Sequence, residues 1–271
     1  MAPDTPELLI PRSVNPLLER VKIPGETIRL PSGGIFYTNG ELSPDVKHGE
    51  IHVYPLTTIS EIMLRSPDKL LSGDALVDVL AQCAPQILKP MELLSKDVDF
   101  LMTALRKVTY GNLMDVSFTH DCENAKEHNY SVDLSKIMAA SKPINPTTVN
   151  NTFVLTLSNN QVVKLQPMKF NNVIEIMQSV QEQSQDDKAI GRQLMKSVAC
   201  MITAVDEIQS TDMIIEWLTT IPTTWFNHIS KTIESISEWG PDFVYTDRCK
   251  DCGKEIDLSV SLNPLTFFMS Y

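Results

Sequence analysis

The spacing of apolar residues changes along the chain and divides it into stretches with different structural demands. Up to about residue 55, Pro3, Pro6, Pro11, Pro16, Pro24, Pro31, Pro44 and Pro55 interrupt short apolar pieces such as Leu8-Leu9-Ile10 and Leu17-Leu18. Each proline ring fixes φ and removes a backbone donor, so no helical period survives and residues 1–55 read as an extended arm. Its apolar pieces need cover, either from a neighbouring subunit or from the arm's own domain. From about Thr57 the period becomes helical. Leu76, Val79, Leu80 and Cys83 recur at i, i+3, i+4 and i+7 behind Ser72, a capping residue type, which makes Cys83 a core residue. Asp97 to Lys107 repeats the pattern with Phe100, Leu101, Ala104 and Leu105.

Alternation of period two takes over at Tyr130 to Leu134. It returns at Asn151 to Leu157 and Gln161 to Leu165, which flank Ser158-Asn159-Asn160 and so predict a hairpin. The last third is helical again. Helices are predicted over Phe170 to Gln183 and Ala189 to Ile208, the second with Ile190, Leu194, Val198, Met201, Ile202 and Val205 on one side. Cys200 falls on its small-residue stripe with Ser197 and Ala204. Thr211 can cap a short helix holding Ile214, Ile215 and Leu218. A final helix from Pro222 to Trp239 turns Phe226, Ile229, Ile233 and Ile236 inward, leaves His228 near the surface, and stops at Gly240-Pro241. The pattern therefore predicts an α+β fold, predominantly helical with short antiparallel strands: an arm over 1–55 and a mixed core over 56–271.

Composition narrows the function. The 271 residues are 42% hydrophobic and 21% charged, which is ordinary for a chain with a packed core. A formal charge of −11 disfavours nucleic acid and anionic membrane, since both attract basic surfaces, and leaves proteins as the expected partners. The first residues lack the positive start and apolar core of a signal peptide, and no run approaches a membrane span. Five scattered cysteines, an odd number, fit a reducing compartment.

The chemistry concentrates in 243–262. Cys249-Lys250-Asp251-Cys252-Gly253 spaces two thiols to converge on one tetrahedral cation, and Gly253 lets the backbone leave the turn. A structural zinc needs two more ligands. The segment 116–134 offers Cys122 with His120 and His128, and it leads into Tyr130–Leu134 much as the first turn leads into Glu255-Ile256-Asp257-Leu258. The leading ligand set is Cys122, His128, Cys249 and Cys252, with His120 as substitute; together the two segments form a zinc-ribbon-like knuckle. The competing readings are a redox Cys-x-x-Cys, which favours a strand running into a helix, and inert cysteines. Four protein ligands leave no open metal position, so the site implies stability and not catalysis.

Two further motifs are weak. Pro31-Ser32-Gly33-Gly34 lacks the Gly-Lys-Ser/Thr of a phosphate loop. His48-Gly49-Glu50-Ile51-His52 aligns His48, Glu50 and His52 on one face if it is a strand, which is more often a solvated face than a metal site.

Several stretches taken in order, DVKHGEIHVYP from Asp45, LLSGDALVDVLAQCAPQILKP, LLSKDVDFLMTALRKVTYGN, the Cys/His turn before YSVDL, and CKDCGKEIDLSVSLNPLTFF, resemble the baseplate hub proteins of T-even-like contractile-tailed bacteriophages. The resemblance spans roughly 45–268 and omits the arm. It implies a non-enzymatic structural component of the virion tail baseplate, assembled in the host cytoplasm. Its implied partners are other hub and wedge proteins and tail tube or spike proteins. The alternative it admits is an assembly factor that leaves before the particle is complete. A zinc-dependent peptidoglycan hydrolase would need an open metal position and a general base, and the chain offers neither. Members of the group often carry Cys-x-x-Cys in both turns; here Thr119 stands where the first cysteine of one pair would be.

Overall fold

A computed structural model of the chain describes residues 24–66, 69, 72–122, 126–145, 149, 153–182, 187–260 and 267. Eight α-helices and nine short strands are placed among them, and every strand pairing is antiparallel. The fold is α+β, as the residue pattern predicts. Two apolar cores organise it.

The first core begins with β1 (Glu26–Arg29) paired to β2 (Glu50–Val53). Their inward residues Ile28, Ile51 and Val53 are buried, so the chain from residue 24 onward packs on its own core; Leu8-Leu9-Ile10 and Leu17-Leu18 lie outside the described residues. Next come α1 (Thr58–Leu64), α2 (Asp74–Cys83) and α3 (Ser95–Tyr110). The stripe Leu76, Val79, Leu80 and Cys83 is buried as its spacing predicts. Gly73 occupies the N-cap of α2 at φ 79, while Ser72 Oγ accepts from the Asp74 N–H at 3.4 Å. Along α3, Val98, Leu101, Ala104 and Leu105 are fully buried, so Leu101→Ala would cost on the order of 2–5 kcal/mol. The hairpin of β3 (Leu113–Thr119) and β4 (Glu127–Asp133), the helix α4 (Leu134–Ala140), and the hairpin of β8 (Val244–Arg248) and β9 (Glu255–Ser259) complete this core.

The second core lies under a three-stranded sheet. β5 (Val154–Thr156) and β6 (Val162–Leu165) form the predicted hairpin, with Asn160 at φ 67 in its turn; Asn151 falls outside the described residues. The helix α5 (Phe170–Glu182) sends Phe170 and Ile174 to the first core. α6 (Asp187–Ala199), α7 (Thr211–Thr220) and α8 (Thr223–Ile236) supply the second with Val198, Ile214, Leu218, Ile229 and Ile236.

The structure corrects the helix predicted over Ala189 to Ile208. It ends at Ala199, and Ile202–Val205 form β7, paired to β6. The residues Ile202-Thr203-Ala204-Val205 satisfy both periods, and the free edge of β6 decides: a β-branched run gains ladder hydrogen bonds there. Cys200 is buried just past the helix end, its N–H donating to Lys196 O at 3.0 Å, and it shares no helical stripe with Ala204. His48 likewise leaves the expected face, because it sits in a turn at φ 53 and β2 starts only at Glu50.

The two cores are tied by backbone and side-chain bonds. Ile144 N–H donates to Pro31 O at 2.9 Å, Lys142 and Gly240 exchange two bonds, and Phe36 packs its ring on Phe153 with centroids 5.6 Å apart. Lys96 Nζ donates to the carbonyls of Ser237 and Trp239 beyond the end of α8. One contact within the first core is electrostatically costly. Asp97 is fully buried on α3 and accepts from Ser32 N–H at 3.0 Å and Tyr37 O–H at 2.6 Å, while the Tyr37 oxygen accepts from Leu94 N–H at 2.9 Å. Burial pushes its carboxyl up to about 6, against the pull of those donors.

An unfolded aspartate titrates near 3.9. The folded state therefore binds the extra proton between pH 4 and 6, and stability falls as pH rises through that window. Comparing urea unfolding of the wild type with Asp97→Asn at pH 4 and pH 7 should show the wild type losing on the order of 2–3 kcal/mol relative to the variant. A constant offset between the two proteins would mean that Asp97 does not titrate in this range.

Candidate metal centre

Two hairpins end side by side. In the first, the ladder of β3 and β4 closes at the pair Thr119 and Glu127, and His120 is the first residue beyond it. The Cys122 N–H donates back to His120 O at 3.0 Å and holds the turn. In the second, the ladder of β8 and β9 closes at Arg248 and Glu255, and Cys249 is the first residue beyond. Cys249 N–H donates to Lys254 O and Gly253 N–H donates to Cys249 O, both at 2.8 Å. Gly253 makes the turn possible at φ 69, a conformation that side chains with a Cβ rarely adopt.

The hairpins are fastened to each other beneath these turns. Tyr130 is buried and accepts from the Lys250 N–H at 3.2 Å, and the Lys250 ammonium stands 5.0 Å from its ring centroid while also donating to Asn129 O. Val132 of β4 and Ile256 and Leu258 of β9 run into the first core on the alternating inward face. His128 Nε2 lies 2.8 Å from Asp251 Oδ2.

This packing brings together one ligand atom each from His120, Cys122, Cys249 and Cys252, all within 4.8 Å of one another. Cys252 Sγ and His120 Nδ1 are 3.4 Å apart although 132 residues separate them in the chain. Ligand atoms around a tetrahedral zinc stand roughly 3.3–3.8 Å apart, so the gathered set fits such an ion with little movement. Three sulfurs and an imidazole are soft donors of the kind that select zinc and related metals. The group can hold a metal ion.

Three of the four leading candidates are in the cluster, and His128 is not. Its position opposite Phe118 inside the ladder commits it to the strand, where it reaches Asp251. His120, the substitute, takes the fourth place because it occupies in its hairpin the position that Cys249 occupies in the other. That equivalence is present in the sequence: both residues directly follow a strand run. The clamp residues Tyr130 and Asp251 carried no such signal.

The cysteines sort by environment. Burial pushes the Cys83 thiol up to about 11, and burial also raises that of Cys200, so both stay protonated and inert. Cys249 goes the other way. The Cys252 N–H holds its thiol down at about 6, helped by the Asp251 N–H and the side chains of Cys252 and His120. Such a thiol is already a thiolate near neutral pH, the form that binds metal. His48 and His52 stand elsewhere, the latter 2.8 Å from Thr27 Oγ1 through Nδ1.

A family model described as T4 bacteriophage base plate protein matches residues 46–269, which takes in both hairpins and most of both cores. The chain belongs to that family. Neither the curated proteins nor the solved structures give a match. No helix among the described residues of this base plate protein is long and apolar enough to cross a membrane.

The geometry separates the two histidines experimentally. With cobalt(II) as a spectroscopic probe, His120→Ala should weaken metal binding by the base plate protein at least tenfold. His128→Ala should keep the thiolate charge-transfer band and lose no more than about 1 kcal/mol of stability, as expected for a partly exposed pair. The reverse order would show that His128, and not His120, supplies the fourth ligand.

Proposed function

We propose that this chain is a non-enzymatic structural component of the phage tail baseplate, a hub or wedge subunit that holds its neighbours together. In this reading a zinc ion at His120, Cys122, Cys249 and Cys252 supports the fold. The observation that carries the reading is the donor cluster itself. Four protein ligands complete a tetrahedral zinc and leave no position for substrate or water, as in structural sites. When bound, the ion supplies cross-linking and no reaction; the chain's own part is to bring the two hairpins into register through Tyr130 and Lys250. Since the ligands span 132 residues, metal binding adds directly to folding free energy.

Membership of the base plate family over 46–269 supports a place in the virion tail among other baseplate proteins, with hub, wedge, tube or spike subunits as neighbours. The charge of −11 favours protein contacts over DNA. Exposed apolar side chains support the same reading: Ile59 and Ile62 on α1 are each 59% accessible and Leu113 is 64% accessible. The proline-rich start of the chain, with its Leu8–Ile10 and Leu17–Leu18 pieces, is assigned to the same holding role.

Quantitative mass spectrometry of purified mature particles, normalised to a major tail protein, tests the role. A fixed stoichiometric amount is expected. Presence in assembly intermediates with absence from finished particles would replace this reading with an assembly factor.

A further inference from the structure

The second core carries a concavity that the metal site does not use. Where β7 ends, Asp206 turns the chain at φ 51, and α7 passes beside it. Between them is a cavity of about 300 Å³ whose walls include Ile208, Met213 and Trp217, with Asp206 and Glu216 also lining it. That volume accommodates one or two side chains. Ile208 is 44% accessible and Met213 53%, so two large apolar residues face solvent at the mouth while Trp217 is half-buried behind them.

The acids here are set in place. Asp206 N–H donates to Val162 O, and its Oδ1 accepts from Val162 N–H, both at 2.8 Å, so a left-handed residue is locked to the end of β6. One carboxylate oxygen is left over. Glu216 is exposed one helical step from Trp217. Among the described residues neither acid forms an ion pair, and no lysine or arginine stands over the Trp217 ring. Trp239, Tyr130 and Tyr245 each have a lysine over them, whereas the half-buried Trp217 and Trp225 have none; of these two, Trp217 is the one that lines the cavity beside Asp206 and Glu216.

We propose that this cavity receives an arginine side chain from a neighbouring protein. An arginine has the matching parts: an aliphatic stem for Ile208 and Met213, a planar cation for the Trp217 ring, and a fork of donors for Asp206 and Glu216. Lysine offers a more strongly hydrated point charge and no planar fork, and an acidic or purely apolar segment would leave two carboxylates desolvated without a partner. Buried aromatic and arginine anchors of this kind dominate the energetics of protein interfaces. The inference deepens the structural reading above by giving the chemistry of one partner contact.

The test uses the full chain labelled with 5-fluorotryptophan, its Trp217 fluorine resonance assigned with Trp217→Phe, and the probe acetyl-Leu-Arg-Leu-amide. The resonance is expected to move saturably, with a dissociation constant of about 1–10 mM for so small a ligand. The citrulline peptide, which keeps the shape without the charge, should bind at least fivefold more weakly. Asp206→Asn with Glu216→Gln should abolish that difference; the first keeps the Oδ1 acceptor for the Val162 N–H, and Glu216 is exposed, so the pair spares the core. No movement of the resonance at about 20 mM peptide, equal response to citrulline, or a response indifferent to the two substitutions would overturn the proposal. The probe is read on the isolated chain. Its failure therefore leaves the particle stoichiometry untouched, and a failure of the particle measurement leaves the cavity's arginine preference standing.

Discussion

The contact between the two hairpins is the constraint on which the first core depends. Bringing residues near 120 and 250 together closes a loop of more than a hundred residues, and its entropic cost grows only with the logarithm of its length. Apolar burial offsets much of it: Tyr130 and Val132 from one hairpin meet Ile256 and Leu258 from the other, all nearly or fully buried. What apolar contact cannot do is fix register at the tips. There the Lys250 N–H to the Tyr130 oxygen aligns the two turns, the partly exposed pair of His128 and Asp251 adding little, and the four ligand atoms converge.

The rest of the molecule hangs from that frame. The chain leaves β4 into α4, forms the second core, and returns through α8 to β8, so the whole sheet-and-helix lobe is an excursion between the two hairpins. The straps at Ile144 with Pro31, Lys142 with Gly240, and Lys96 beyond α8 bring it back onto the first core. Within the first core, Asp97 ties the loop from Ser32 to Tyr37 onto α3. A carboxylate without solvent is tolerated there because three groups, Ser32, Tyr37 and Leu94, are organised around it in a chain of hydrogen bonds.

Much of this was legible in the residues. The knuckle at Cys249, the Asn160 hairpin, the buried stripes of α2 and α3 and the family resemblance all rest on short-range patterns that tertiary contacts reinforce. The failures share one cause, which is that a distant partner decided between two locally acceptable outcomes. Ile202–Val205 suits a helix or a strand until β6, some forty residues earlier, offers an edge. His128 and His120 are both plausible ligands until the ladder of β3 and β4 enrols the first. Asp97 looks like an ordinary acid in the first turn of a helix, and only the loop from Ser32 to Tyr37 makes it a buried acceptor.

For function, the proposal turns on a cluster that can hold a metal ion with four protein ligands. In that proposal a zinc ion would cross-link two hairpins distant in sequence and do so without a disulfide. X-ray absorption at the zinc edge of the purified chain tests this most directly. The account predicts one equivalent of zinc with three sulfurs at about 2.3 Å and one nitrogen at about 2.0–2.1 Å. A protein folded without zinc, or a zinc shell dominated by oxygen and nitrogen, would contradict it.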